Sequence, residues 1–482
     1  MKLTELLESV EIIETNADMS AEIADVCCDS RKAGEGCLFV AVEGYETDGH
    51  RYIPSALDKG ASVVLCRVKP QRECAYVLCA DTRRALAIVS ANFFRRPADK
   101  MAMIGVTGTN GKTTTTNLVK EMYEALSGNS SGLIGTNRNM IGDVAVDTER
   151  TTPESRDLQE LFAQMAEAGC KAAIMEVSSH SLYLDRVAGI KYRVGAFTNL
   201  TQDHLDFHET MENYCDAKAI LFRNCEVGVV NADDEWTGRL IKDADCRIIS
   251  YSAKEKGGDL YATDIKYFPD KVSFTANYGG ENVPAVINIP GRFSVYNALT
   301  ALGCILALGF GLSEAAAALA KCHGVQGRVE VVPTGRDFTI LIDYAHTPDG
   351  IENVLRAVKE TAAGRVGILF GCGGDRDRTK RPKMGAISAE LADYMIITSD
   401  NPRTEEPETI IADILEGIKD TKTPYVVITD RREAIKYAIE HAEKDDAIIL
   451  AGKGHETYQI VGKTKYHMDE REIVAEVLAA QI

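Results

Sequence analysis

The segment GVTGTNGKTTT, residues 105–115, orders glycines, hydroxyls and one lysine in a way suited to phosphate. The buried-strand pattern MAMIGV precedes it, and TTTTNLVKEMYEALS follows as a helix. Backbone N–H groups and the positive helix end at Lys112 to Thr114 would then face an anion. Lys112 is suited to the outer phosphates of a nucleotide and the Thr113 hydroxyl to Mg²⁺. Gly108 and Gly111 permit close backbone approach. A strict phosphate loop would carry glycine at position 106, where this chain has Val106. A turn that merely starts a helix would share the glycines, but it leaves GKTTT directly after a strand without a reason.

Two further segments bring charge to strand ends, IMEVSSHSL and TNLTQDHLDFH. Glu176 closes a buried strand, where a lone carboxylate is costly unless it meets a cation or a base, so it is a magnesium candidate. His204 and His208 are four apart and share a face if helical, which is zinc-like spacing. The Glu of H-E-x-x-H is absent, and a hard cation bridging phosphates suits the flanking carboxylates better.

These groups need a scaffold. The chain has 482 residues, which suggests about three domains at one per roughly 150. Residues 1–98 mix short apolar runs with polar turns and end at FFRRPADK. Residues 99–330 show buried strands at KAAIMEV, VGAFTNL and EVGVVN, then alternation in KVSFTANY and VPAVINI that reads as antiparallel, then a helical pair. Residues 331–482 alternate strands (FTILIDY, RVGILFG, DYMIITS, YVVIT, DAIILAG) with helices. The class is α/β with parallel sheets, and ligands should collect at the loops beyond the carboxyl ends of the strands.

The formal charge of -18 argues against general affinity for nucleic acid or anionic membrane, so anionic ligands need local basic clusters. MKLTELLESVEI reads as a short amphipathic helix without the features of a secretory signal, and no apolar run approaches the ~20 residues of a span. Thirteen cysteines without framework spacing fit reduced thiols and a cytoplasmic setting.

The motifs GVTGTNGKTTT, EVSSH, NLTQDHLDFH, YNALTA, GRVEVV, DYAHTPD and AGKGHE, in this order across nearly the whole chain, resemble the Mur ligases, ATP-dependent amide-bond synthetases of peptidoglycan precursor assembly. That family has Val or Ile at the place of Val106. CDSRKAGEGCLFVAVEG, GCGGDRDRTKRP and SDNPRTEEP resemble the members that add the third amino acid, to UDP-N-acetylmuramoyl-L-alanyl-D-glutamate. The resemblance implies an N-terminal α/β domain for the UDP end, a central phosphate-loop ATPase sheet and a C-terminal Rossmann-like domain. It also implies an acyl-phosphate route using ATP and Mg²⁺. By position it places Gly108, Thr109, Asn110, Gly111, Lys112, Thr113, Thr114, Asn297, Arg328, Asp343 and His346 at ATP. Thr113, Glu176 and His204 would serve magnesium, with Lys218 of YCDAKAILF as a lysine that the family carbamylates into a metal ligand. Ser30, Thr151, Thr152, Ser178 and Arg186 match contacts to the muramoyl dipeptide. Two positions depart from relatives: Leu184 stands where some have Gln, and Ser294 where Asn is usual.

In SDNPRTEEP an Asn-Pro turn accounts for Asn401 and Pro402 but not for Arg403 beside an acidic run. Arg403 and Arg376 could grip one carboxylate. meso-Diaminopimelate has a carboxylate at its far end and lysine has none, so a desolvated arginine favours the former. The family pairs D-N-P-R, here Asp400 to Arg403, with diaminopimelate, and Gly452 and Glu456 match contacts to its far end. The expected protein is a monomer. Because its ATP residues fall in both the central and C-terminal segments, domain closure is expected. The alternatives are the lysine-adding relative, a folylpolyglutamate-type ligase, which lacks the segment 1–98, and a nucleotide-gated binding protein without turnover.

Overall fold

The computed structural model describes residues 1–44, 47–148, 150–268, 270–322 and 324–480, and at position 206 the backbone alone. The chain divides into two compact units. One is Met1–Ser252 with Lys256–Leu260 and Thr300–Gly311; the other is Ala253–Glu255, Tyr261–Leu299 and Leu312–Ile482.

The first unit opens with β1 (Ile12–Thr15), β2 (Asp25–Cys27), β3 (Cys37–Val40), β4 (Val63–Cys66) and β5 (Tyr76–Cys79), in spatial order β1-β5-β4-β3-β2. β3 to β5 are apolar and buried along their length because both faces are covered. Leu38, Val40 and Val63 enter one core with Leu86 and Val89 of the helix Thr82–Phe93. Phe39 and Val64 enter another with Ile53 and Ala56. The amphipathic helix expected at the start shrinks to one turn, Leu3–Leu6. Ser9 takes a positive φ of 68°, and the chain turns into the exposed edge strand β1, which pairs antiparallel with β5.

The same unit holds β6 (Ala102–Thr107), β7 (Ser131–Ile134), β8 (Asn139–Ile141), β9 (Val144–Val146), β10 (Ala172–Glu176), β11 (Tyr192–Phe197), β12 (Cys225–Asn231) and β13 (Arg247–Ser252). Their order is β13-β12-β11-β6-β10-β7-β8-β9, parallel from β13 to β7 and antiparallel beyond. Val106 is an interior residue of the central strand, opposite Glu176 on one side and Ala196 on the other. The helix Ser155–Glu167 ties the two sheets through Arg156, which donates to Asp25 Oδ1 (3.1 Å) and the Val26 carbonyl (3.2 Å).

In the second unit the strands Val272–Tyr278 and Glu281–Ile287 form the expected antiparallel pair. A six-stranded sheet follows, in the order Glu330–Val332, Thr339–Asp343, Ala447–Ala451, Val366–Phe370, Tyr394–Ile397, Tyr425–Val427, antiparallel only at the first pair. The strands Tyr458–Val461 and Thr464–His467 make a separate hairpin that sequence reading did not find. Its signal was Gly462 between two short alternating runs. No helix among the described residues is long and apolar enough to cross a membrane.

Candidate functional site

The loop after β6 is clamped from the side by the segment after β11. Gly108 has φ 145°, and a Cβ there would overlap the Thr198 hydroxyl. Thr109 N–H donates to the Asn199 carbonyl (2.8 Å) and Asn110 N–H to Asn199 Oδ1 (3.0 Å), while Thr198 Oγ1 donates to the Asn110 carbonyl (2.6 Å). Gly111, at φ 83°, precedes the helix Lys112–Ser127, in which Thr113 and Thr114 are half-buried. The strand thus runs on through Val106, and the close-approach glycine is Gly108. Thr198 and Asn199 were not singled out in the sequence, although TNL is the strand-end polar step that could have marked them.

Lys112 Nζ donates to the carbonyls of Gly108 (3.0 Å) and Thr109 (2.8 Å), and Lys218 Nζ donates to the same Gly108 carbonyl (3.0 Å). Lys218 is buried, and its ammonium lies 4.4 Å from the Tyr214 ring centroid. Burial first, and the nearby charge of Lys112 second, hold its pKa well below the ordinary lysine value. The ordinary expectation for a helix lysine, a solvated or ion-paired head, does not hold here.

Glu176 is buried but not alone. Its Oε1 accepts from Thr136 N–H (2.9 Å) and its Oε2 from the Thr136 hydroxyl (3.0 Å). The cost of burying this carboxylate is therefore met without a cation. Thr136 also reaches the Thr151 hydroxyl (3.0 Å), and Thr152 Oγ1 donates to the Glu176 carbonyl (2.8 Å) and accepts from Ser178 N–H (3.2 Å). Arg186 Nη1 donates to the Thr152 carbonyl (3.3 Å), and its Nε lies 2.8 Å from Glu154 Oε1. Thr151, Thr152, Ser178, Arg186 and Glu176 thus form one network, with Thr136 as the member sequence reading missed. Ser30 is buried in the loop after β2 and, among the described residues, shares no hydrogen bond with it. Leu184 ends the short helix Ser179–Tyr183.

His204 is exposed, in left-handed conformation at φ 53°, before the helix Leu205–His208. His208 is buried with Nε2 on Ser179 Oγ at 2.9 Å, so the two imidazoles have different duties. Among the described residues no three His, Cys, Asp or Glu side chains are arranged to hold a metal ion. The donors present near the loop, Thr113 and Glu176 oxygens, fit magnesium only as Mg²⁺ commonly binds, with phosphate oxygens and water completing its shell.

In the second unit Asp343 ends its strand, accepting from Val329 N–H and Ala345 N–H (both 2.8 Å), and burial raises its pKa. Arg328 lies over the Tyr344 ring at 5.3 Å, and the His346 ring is 4.7 Å from that of Tyr344. Asn297, buried on the helix Phe293–Ala307, is not joined to them by a hydrogen bond among the described residues. The Ser294 hydroxyl donates back to the Pro290 carbonyl (2.8 Å) and offers no second amide contact.

The loops after Val366–Phe370 and Tyr394–Ile397 are stapled together. Arg381, fully buried, pairs with Glu405 (2.8 Å) and Asp413 (2.9 Å), which holds the Glu405 carboxyl down at about 2. Thr404 Oγ1 donates to Asp375 Oδ1 (2.7 Å), and Gly374 N–H to the Asn401 carbonyl (2.9 Å). Glu405 of the acidic run beside Arg403 is therefore engaged by Arg381, leaving Arg403 to donate to the Gly374 carbonyl (2.8 Å). Arg403 and Arg376 share the space above Gly373, whose Cβ would lie 2.8 Å from Arg403 Nη1 and 3.7 Å from Arg376 Cγ. Arg403 is held at φ 51°, its N–H donating to the Ile460 carbonyl (3.1 Å) and its carbonyl accepting from Gly462 N–H (2.7 Å). The next loop brings Glu456 to Asn401 (2.8 Å), and Gly452, at φ 113°, faces Asp400 Oδ2, 2.7 Å from where its Cβ would be. Two arginines above Gly373, with a carboxylate tied to Asn401 two residues before Arg403, suit a zwitterion.

Comparison with known proteins places the segments in sequence. Residues 22–108 match the Mur ligase family catalytic domain, 106–305 the Mur ligase middle domain and 327–454 the Mur ligase glutamate ligase domain. The chain is 48% identical over 99% of both chains to UDP-N-acetylmuramoyl-L-alanyl-D-glutamate–2,6-diaminopimelate ligase 1 of Clostridium acetobutylicum. It is 48% identical, again over 99% of each chain, to the corresponding ligase of Caldanaerobacter subterraneus subsp. tengcongensis. A solved structure of a UDP-N-acetylmuramoyl-L-alanyl-D-glutamate–2,6-diaminopimelate ligase aligns over 100% of this chain and 99% of its own, with 32% identity and a TM-score of 0.77.

Proposed function

The chain belongs to the Mur ligase family, and on that footing we propose that it adds meso-2,6-diaminopimelate to UDP-N-acetylmuramoyl-L-alanyl-D-glutamate at the expense of ATP, in cytoplasmic peptidoglycan precursor synthesis. The observation that carries the choice of amine is the pair Arg376 and Arg403 above Gly373, with Glu456 bonded to Asn401 two residues before Arg403. A zwitterionic far end satisfies both charges, whereas the far end of lysine would leave the arginines unpaired.

The free carboxylate of D-glutamate attacks the γ-phosphorus of ATP; the bond to the ADP oxygen breaks and an acyl phosphate forms. The incoming amine attacks that carbonyl carbon, and the tetrahedral intermediate expels phosphate. Lys112 and the N–H groups of Gly108 and of Gly111 to Thr114 hold the phosphates, the Thr109 and Asn110 N–H groups being taken by Asn199 to fix the loop, with Arg328, Asp343, His346 and Asn297 as the nucleotide residues of the second unit. Thr113, Glu176, His204 and Lys218, the last once carbamylated, would hold magnesium together with phosphate oxygens, and the ion would supply charge neutralisation at the transferred group. Ser30, Thr151, Thr152, Ser178 and Arg186 hold the muramoyl dipeptide. In this scheme residues 1–98 serve the UDP end, 99–330 ATP and 331–482 the amino acid, in a monomer that uses neither nucleic acid nor membrane.

Phosphate release with ATP and the muramoyl dipeptide, compared between diaminopimelate and lysine, tests this directly. Diaminopimelate should support turnover and lysine should not. Equal or better turnover with lysine would overturn the choice of amine, and turnover with neither would leave a nucleotide-binding protein without catalysis.

A further inference from the structure

One buried cation in the second unit has no part in the scheme above. Lys453 is fully buried, with its Nζ 3.1 Å from Asn401 Oδ1 and 3.2 Å from Glu456 Oε2, over the Tyr458 ring at 5.8 Å. Burying an ammonium is costly unless each proton finds an acceptor, so its place needs a reason. Asn401 Oδ1 also accepts from Ile460 N–H at 2.9 Å. With two donors on Oδ1, the amide can only turn its Nδ2 outward, and Nδ2 donates to Glu456 Oε2 at 2.8 Å. Lys453, Asn401 and Glu456 therefore close a ring in which Oε2 is saturated by two donors. No donor among the described residues reaches Glu456 Oε1, and the side chain is 15% exposed.

We propose that Lys453 is a positioning residue for amino-acid selection: it locks Asn401 and Glu456 so that a single carboxylate oxygen, Oε1, faces the ligand's ammonium. This role rests on the placement of the incoming amino acid at Asn401, Arg403 and Glu456 proposed above. The cation also balances Glu456 in the empty state. The carboxylate then stays on its own side of the loop and does not fold over onto Arg403, which would close the site against a zwitterion.

Lys453→Met, of similar length without donor or charge, should raise the diaminopimelate KM about tenfold or more, the scale of losing a charged hydrogen bond. The KM values for ATP and muramoyl dipeptide should stay within about twofold. Because Lys453 acts through Asn401 and Glu456, Lys453→Met combined with Glu456→Gln should raise the diaminopimelate KM by clearly less than the product of the two single effects; a brace unrelated to selection would give additive losses. If Lys453→Met does not fold, Lys453→Gln, which keeps a donor without the charge, is judged by the same comparison. An unchanged diaminopimelate KM in the Lys453 variant, or additive losses in the double variant, would overturn the role while a raised KM in Glu456→Gln keeps the binding site in place. No KM change in Glu456→Gln itself would remove the site and the role of Lys453 together.

Discussion

Lys112 and Lys218 bring two ammonium groups to one carbonyl oxygen, that of Gly108. Two like charges so close are unfavourable, and burial of Lys218 resolves the conflict by favouring its neutral amine. A neutral amine attacks CO₂, forming a carbamate with release of one proton, and the product carries a negative charge that Lys112 and a bound cation would attract. Activity should fall in CO₂-depleted buffer and return with bicarbonate, while Lys218→Arg should be low in both; a bicarbonate-independent wild type would contradict this. Lys112→Ala should cut phosphate release roughly 10²–10³-fold, the usual scale for one charge-stabilising donor. Arg403→Ala should raise the diaminopimelate KM roughly tenfold to a hundredfold with ATP KM nearly unchanged, since it removes a charged grip on the far carboxylate. These residue types were readable in sequence because each motif is contiguous: GKTTT, DNPR and GKGHE place their chemistry within a few positions.

At the scale of elements, the selective loops owe their shape to Arg381. Its pairing with Glu405 lowers that carboxyl from 4.5 to about 2, so the folded state binds fewer protons than the unfolded one between those values. The contribution is complete above about pH 4.5 and is lost as pH falls towards 2. Acid unfolding followed by circular dichroism should therefore be less steep below pH 4.5 in Glu405→Gln than in the wild type. Arg381→Met should cost about 3 kcal/mol, the lower end for breaking a buried pair, because Glu405 and Asp413 are partly exposed. The elements themselves were largely legible, since strands buried on both faces read as apolar runs. The hairpin that pins Arg403 was not, being short, half-buried on one strand and exposed on the other, and outside the main sheet.

At the scale of the whole molecule, the net charge of -18 leaves anion binding to local donors, and the first unit shows how two sheets share that work. Arg156 anchors β2, whose following loop carries Ser30, to the helix that begins after Thr151 and Thr152. Arg156→Ala should raise the KM for the muramoyl dipeptide about tenfold, by loss of charged hydrogen bonds, and leave that for ATP alone; equal changes in both would point to general loosening. By itself the sequence determined the class of fold, the phosphate loop and the charged motifs, because these depend on neighbours along the chain. Only the tertiary structure decided that Thr136 satisfies Glu176, that Arg381 and not Arg403 takes Glu405, and that Lys453 orients Asn401. Those partners lie 40, 24 and 52 residues apart, and hydrogen bonds over such separations are set by how sheets and loops pack, which no local pattern encodes.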